Sequence, residues 1–177
     1  MTTDQLRFPI GPWKPKKSYT EKEIERFITV LQKYPGKYKR LVKKLTEEDL
    51  NKTYRDGSWN IRQLVVHLSD MHILHYGRMK QALSMDNPDG YVAAMDGWNA
   101  VKEVADAPLV DALALLDATH KRYVRLIQSL SADDLQRTYF HPQRQIKVSM
   151  AQAIHMTAWH TRHHYEHIRI ALGEKTV

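Results

Sequence analysis

The chain has 177 residues, 42% of them hydrophobic and 27% charged, which suits one soluble domain with one sizeable core and excludes a disordered polypeptide. Cysteine is absent, so disulfides, thiolate ligands and a catalytic cysteine are excluded, and any metal must rest on His, Asp or Glu. Lys and Arg outnumber Asp and Glu by 27 to 20, a formal net charge of +7, which suits an anionic small molecule or nucleic acid as partner.

Residues 1–19 hold three prolines and no helical period, and Phe8-Pro9-Ile10-Gly11-Pro12-Trp13 reads as an extended arm that docks on the body. Met-Thr-Thr-Asp-Gln at the start has no basic-then-apolar signal pattern, and no apolar run reaches the length of a membrane span, so a cytoplasmic protein is expected. Thr20-Glu21-Lys22-Glu23 is a capping box that opens a first helix, with Ile24, Phe27, Ile28 and Leu31 at helical spacing. Pro35-Gly36 should kink or split this helix before it resumes to about Leu45. A second helix is expected from about Asn60 to Leu83, ended by Asn87-Pro88-Asp89-Gly90. Residues 88–107 have no clear period beyond a short helix around Trp98. Pro108 fits the first turn of a third helix, whose stripe is Leu109, Leu113, Leu116, His120, Val124 and Ile127. Ser149 caps a fourth helix that ends at Gly173.

An internal echo organises these elements. Leu45-Thr46-Glu47-Glu48-Asp49-Leu50-Asn51-Lys52-Thr53-Tyr54 recurs as Leu130-Ser131-Ala132-Asp133-Asp134-Leu135-Gln136-Arg137-Thr138-Tyr139. Each copy follows one long helix, offers Ser or Thr as cap for a short helical turn, and precedes another long helix. The expected fold is all-α: one domain, a four-helix bundle built from two similar helical hairpins, with no strand pattern.

Five of the ten histidines fall between positions 155 and 167. His160 and His164 are one helical turn apart, as are His163 and His167. With His160 set at zero on a helical wheel, the apolar residues of this helix span roughly 20° to 120° and His164 lies at roughly 40°. His160 and His164 therefore face the interior, His163 and His167 fall on the polar flank, and His155 points nearly the opposite way. Two imidazoles so placed can share a metal, and a third from another helix would complete a three-nitrogen site with an open position. On the second helix His75 points inward, with His67 and His72 toward opposite edges; His120 on the third helix also points inward. Pattern mildly favours His75, and spacing alone does not choose.

Several segments, in order, resemble a known family. They are Phe8-Pro9-Ile10-Gly11, Tyr54-Arg55-Asp56-Gly57-Ser58-Trp59-Asn60-Ile61-Arg62-Gln63-Leu64-Val65-Val66-His67, Leu115-Leu116-Asp117-Ala118-Thr119-His120-Lys121-Arg122, Thr138-Tyr139-Phe140-His141-Pro142 and Ala158-Trp159-His160-Thr161-Arg162-His163-His164. Together they are similar to the DinB-like metalloproteins, in the YfiT-type branch, over nearly the whole length. The resemblance implies a four-helix bundle with an interior divalent metal, zinc or nickel, held by His67, His160 and His164, and a homodimer. It implies a metal-dependent hydrolase, or a transferase that uses a low-molecular-weight thiol of the bacillithiol type, and the latter is the reading preferred from sequence.

Around such a site Glu166, His120 and His75 are candidates for supporting roles. Glu166 reads first as a surface carboxylate, and His120 and His75 first as satisfied core histidines. Trp59 and Trp159 read as packing residues beside the metal, and Asp117 as a possible helix partner of His120. The competing function is a non-catalytic metal-binding or partner-binding module. Nucleic acid is poorly supported: Lys37-Tyr38-Lys39-Arg40-Leu41-Val42-Lys43-Lys44 is the densest basic stretch, yet it reads as one side of an amphipathic helix, and no zinc finger, Gly-x-Gly-x-x-Gly or Walker-type loop is present.

Overall fold

A computed structural model of the chain describes residues 2–174. In chain order the elements are α1 (Thr3–Arg7), α2 (Glu21–Val42), α3 (Glu47–Leu50), α4 (Ile61–Ser84), α5 (Met95–Asn99), α6 (Lys102–Asp106), α7 (Leu109–Gln128), α8 (Ala132–Gln136), β1 (Thr138–His141), β2 (Ile146–Ser149) and α9 (Met150–Ala171). Helix starts are written locally. Thr20 with Glu23, Thr46 with Asp49, Asn60 with Gln63, Ser131 with Asp134 and Ser149 with Gln152 all form reciprocal capping boxes, and loss of such a cap costs about 1 kcal/mol. Gly173, at a φ of 76°, follows the last turn of α9, where a side chain would be strained.

The long helices α2, α4, α7 and α9 form the bundle. Both α2 and α4 pack on α7 and α9, whereas α2 and α4 scarcely touch. The two sequence copies are thus interleaved: the two long helices of each copy, α2 with α4 and α7 with α9, lie diagonally across the bundle from each other. Two apolar clusters fill its ends. One gathers Ile24, Leu31, Met79, Tyr123, Ile127 and Ile154; the other gathers Tyr38, Ile61, Leu64, Leu68, Leu116 and Ile168. Between them the stripes of α4, α7 and α9 turn polar at His72, His75, His120, Thr157, Thr161 and His164, all buried. This polar layer positions the site.

Three expectations need correction. The arm is not wholly extended, because Thr2 and Gln5 form a capping box that starts the one-turn α1. The arm does dock: Trp159 Nε1 donates to the Gly11 carbonyl at 3.0 Å and Gln152 to the Lys16 carbonyl at 2.9 Å. Pro35 does not split the first helix, and α2 runs through it unbroken. Proline removes the N–H that would bond the Leu31 carbonyl, and His120 Nδ1 donates to that carbonyl instead, at 2.7 Å. Finally, two strands exist. β1 and β2 pair antiparallel from Thr138↔Ser149 to His141↔Ile146, each four residues long, too short for alternation to stand out. The first copy holds only a single bridge at the matching place, Thr53↔Asn60. In both copies this pairing delivers the N-cap of the next long helix, Asn60 or Ser149. The expected short helix around Trp98 is α5.

Candidate metal centre

The Asn60 cap starts α4 so that its second turn carries His67 inward, and the Ser149 cap sets the register that places His160 and His164 on the facing side of α9. His160 Nε2 lies 3.3 Å from His67 Nε2 and 3.0 Å from His164 Nε2, and donor nitrogens of all three rings lie within 4.8 Å of one another. Nitrogens held at ~2.0–2.1 Å by a tetrahedral cation sit about 3.3 Å apart, so the three rings fit a shared divalent ion. Burial keeps them neutral, as ligands must be: it lowers His67 to about 4 and holds His160 and His164 well below their ordinary value, with neighbouring imidazoles adding to the effect. His67 and His164 are buried, while His160 retains partial exposure. The Trp59 ring packs 4.6 Å from His67.

The other imidazoles surround this group. His72, placed at an edge by the helical wheel, is fully buried; its Nε2 lies 3.1 Å from His160 Nδ1 and its Nδ1 2.6 Å from His120 Nε2. His75 points inward as expected. Thr157 Oγ1 gives its proton to the Ala153 carbonyl at 2.9 Å, so it accepts from His75 Nδ1–H at 3.1 Å, which leaves His75 Nε2 an acceptor. The polar-flank reading of His163 and His167 is wrong. Both are buried, because the Trp159 ring stacks on His163 at 4.3 Å, the Tyr54 ring stacks on His167 at 3.8 Å, and Phe8 of the arm lies 6.1 Å from His163. His155 does point away, stacking on Phe27 and bonding the Tyr19 hydroxyl at 2.8 Å.

His72, His75 and His160, and likewise His163, His164 and His167, also lie within ligating reach of each other. In the first group His72 Nδ1 and His75 Nδ1 are engaged with His120 and Thr157; in the second His167 Nε2 is engaged with the Arg7 carbonyl, while His163 Nδ1 is buried without a hydrogen-bond partner among the described residues. Glu166 pairs with Arg169 at 3.1 Å. Asp117 pairs with Lys121 at 2.6 Å rather than with His120, whose Nδ1 is taken by the Leu31 carbonyl. A groove of 640 Å³ lined by Pro35, Lys39, Lys43, Leu109 and Leu113 lies between α2 and α7, diagonally across the bundle from the facing histidines of α4 and α9. Sequence reasoning gave His72, His163 and His167 no role. Apart from Trp159, one turn before His163 on α9, their covering partners come from distant segments, and only the density of histidine signalled them.

Known proteins repeat this architecture. A sequence model of the DinB superfamily matches residues 31–168. YfiT of Bacillus subtilis is 33% identical over 95% of this chain and 94% of its own length. A relative in Halalkalibacterium halodurans is 39% identical over 94% of this chain and 96% of its own. Both carry the name "Putative metal-dependent hydrolase". The solved structure of the Bacillus subtilis protein, described as having an unusual four-helix bundle topology, superposes with a TM-score of 0.91 over 97% of this chain and 99% of that one. A mycothiol-dependent maleylpyruvate isomerase, 15% identical, shares the fold with a TM-score of 0.65 over 82% of this chain and 60% of that one. With most of its length matched and relatives above 30% identity at nearly full coverage, the chain belongs to the DinB superfamily, among the YfiT-like proteins.

Proposed function

We propose that this protein is a metal-dependent enzyme in which His67, His160 and His164 hold one divalent cation, zinc or nickel, that activates a small nucleophile. The supporting observation is the convergence of three neutral imidazoles from α4 and α9, whose Nε2 atoms meet at His160. Imidazole donors suit zinc and nickel, and no carboxylate belongs to the group. Three neutral ligands leave the ion's charge uncompensated; when bound, it supplies the Lewis acidity that makes water or a thiol nucleophilic near neutral pH.

The chain's own side chains would do the rest. Trp59 walls His67 and limits water on that side. His75 offers an unprotonated Nε2 within reach of His160 and can accept a proton from an incoming nucleophile. Hydrolysis is the principal reading, because the relatives' names point to it. Transfer of a low-molecular-weight thiol is the alternative reaction on the same centre. A homodimer belongs to the same proposal: Tyr91, Val92, Trp98 and Val101 are exposed between α4 and α7, and sedimentation of the purified protein tests it. No described helix is long and apolar enough to cross a membrane, consistent with a cytoplasmic enzyme.

The test is an assay of zinc- and nickel-loaded protein against ester and amide substrates, and in parallel against electrophiles with added thiol. Turnover that requires both metal and His67, without thiol, supports hydrolysis; turnover only with thiol supports transfer. Equal rates for wild type and His67→Ala in both assays would contradict the enzyme reading.

A further inference from the structure

We infer that His160 and His164 have their lone pairs aimed at the metal position by chains of imidazoles that end on backbone carbonyls, and that Pro35 frees the carbonyl anchoring the longer chain. The use of this device rests on the metal site proposed above; the order of hydrogen bonds does not.

The longer chain takes one residue from each helix of the bundle. A carbonyl oxygen only accepts, so the 2.7 Å contact between His120 Nδ1 and the Leu31 carbonyl places a proton on Nδ1. A neutral imidazole carries a single N–H, and burial, which lowers His120 to about 4, keeps it neutral. His120 Nε2 therefore accepts from His72 Nδ1–H at 2.6 Å. His72 Nε2 in turn accepts from His160 Nδ1–H at 3.1 Å. The Nε2 of His160 is left bare, facing His67 and His164. The order is thus set on α2, three hydrogen bonds away, and passes through α7 and α4 to α9.

The anchor exists because of Pro35. In an uninterrupted helix the N–H of residue 35 would bond the carbonyl of residue 31. Proline has no N–H, and α2 continues past it, so the Leu31 carbonyl stays available in the interior. A residue that would ordinarily weaken a helix supplies the acceptor that orders three histidines.

His164 has a shorter chain of the same kind. His167 Nε2 donates to the Arg7 carbonyl of α1 at 3.2 Å, so His167 Nδ1 accepts from His164 Nδ1–H at 3.3 Å. His164 Nε2 is then also bare. The two chains bring two nitrogen lone pairs to 3.0 Å of each other, a separation that is repulsive by itself and favourable around a cation. His72, His120, His167 and Pro35 are positioning residues: they fix which nitrogen of a ligand is free.

NMR of the metal-free protein with nitrogen-labelled histidine rings reads the tautomers directly. The expected result is Nδ1–H at His72, His120, His160 and His164, and Nε2–H at His167. An Nε2–H form at His72, His120 or His160 would overturn the longer chain. Pro35→Ala is the second arm, since alanine is a good helix former that returns a competing N–H to Leu31. It should give mixed tautomers at His160 and roughly tenfold weaker zinc binding in a chelator competition. Wild-type tautomers and wild-type affinity in Pro35→Ala and in His120→Phe would overturn the inference. Failure of wild-type protein to bind zinc, with the expected tautomers present, would instead count against the metal site alone.

Discussion

His160 and His164 stand one turn apart on the same helix, yet they are held from opposite sides and by different materials. Behind His160 lie His72 and His120, buried rings joined by contacts of 3.1 and 2.6 Å, and the chain ends at 2.7 Å on a carbonyl in the middle of α2. Behind His164 lies only His167, through contacts of 3.3 and 3.2 Å, and this chain ends on α1, a single turn with no buried residue of its own. The first support is inseparable from the core, so losing it means opening the bundle. The second rests on an arm attached at a few points such as Gly11 and Lys16. One ligand is therefore fixed by folding itself and the other by docking of a terminal segment.

Acid should break both supports, with the largest effect. The folded protein holds His67, His120 and His167 at about 4 and His163 at about 3, chiefly through burial. The unfolded chain takes up those protons near 6.5. Stability of the metal-free protein is therefore complete above pH ~6.5 and is lost as pH falls from there toward ~4, because the unfolded state binds more protons in that window. Urea midpoints measured across that range should drop steeply; a flat profile would contradict the burial of these rings as neutral groups.

Breaking the inner support alone comes next. His72→Phe leaves His160 Nδ1–H and His120 Nε2 without partners in the interior, which should cost ~1–3 kcal/mol of stability and weaken metal binding roughly 10–100-fold. Urea unfolding and chelator competition on the same sample separate the two effects. The smallest effect should follow from the outer support. Removing residues 2–10 deletes the Arg7 acceptor of His167 and takes Phe8 from His163, with metal binding weakened by no more than about tenfold and the urea midpoint almost unchanged. A loss as large as that of His72→Phe would show that the arm is part of the core.

Much of this was legible in the chain. The capping boxes at Thr20, Asn60 and Ser149, the two related segments after Leu45 and Leu130, and the i,i+4 pair His160 and His164 are local signals, and local rules decode them. The choice among His67, His75 and His120 was not legible from periodicity, since all three lie on or beside buried stripes; the motif shared with the DinB-like proteins singled out His67. The burial of His163 and His167 was misread because Tyr54, Trp159 and Phe8 cover a helix face that looks polar by itself. Pro35 was misread for a related reason. A local rule breaks the helix there, and the compensating donor, His120, is 89 residues away in sequence. The hairpin Thr138–Ser149 escaped notice because four-residue strands carry too little alternation.

The most direct test of the central claim is the metal content of protein purified without an affinity tag, compared among wild type, His67→Ala, His164→Ala and His163→Ala. Three converging imidazoles predict one divalent ion per wild-type chain, loss of that ion in the first two variants, and its retention in His163→Ala. Undiminished metal in His67→Ala, or loss confined to His163→Ala, would contradict the assignment.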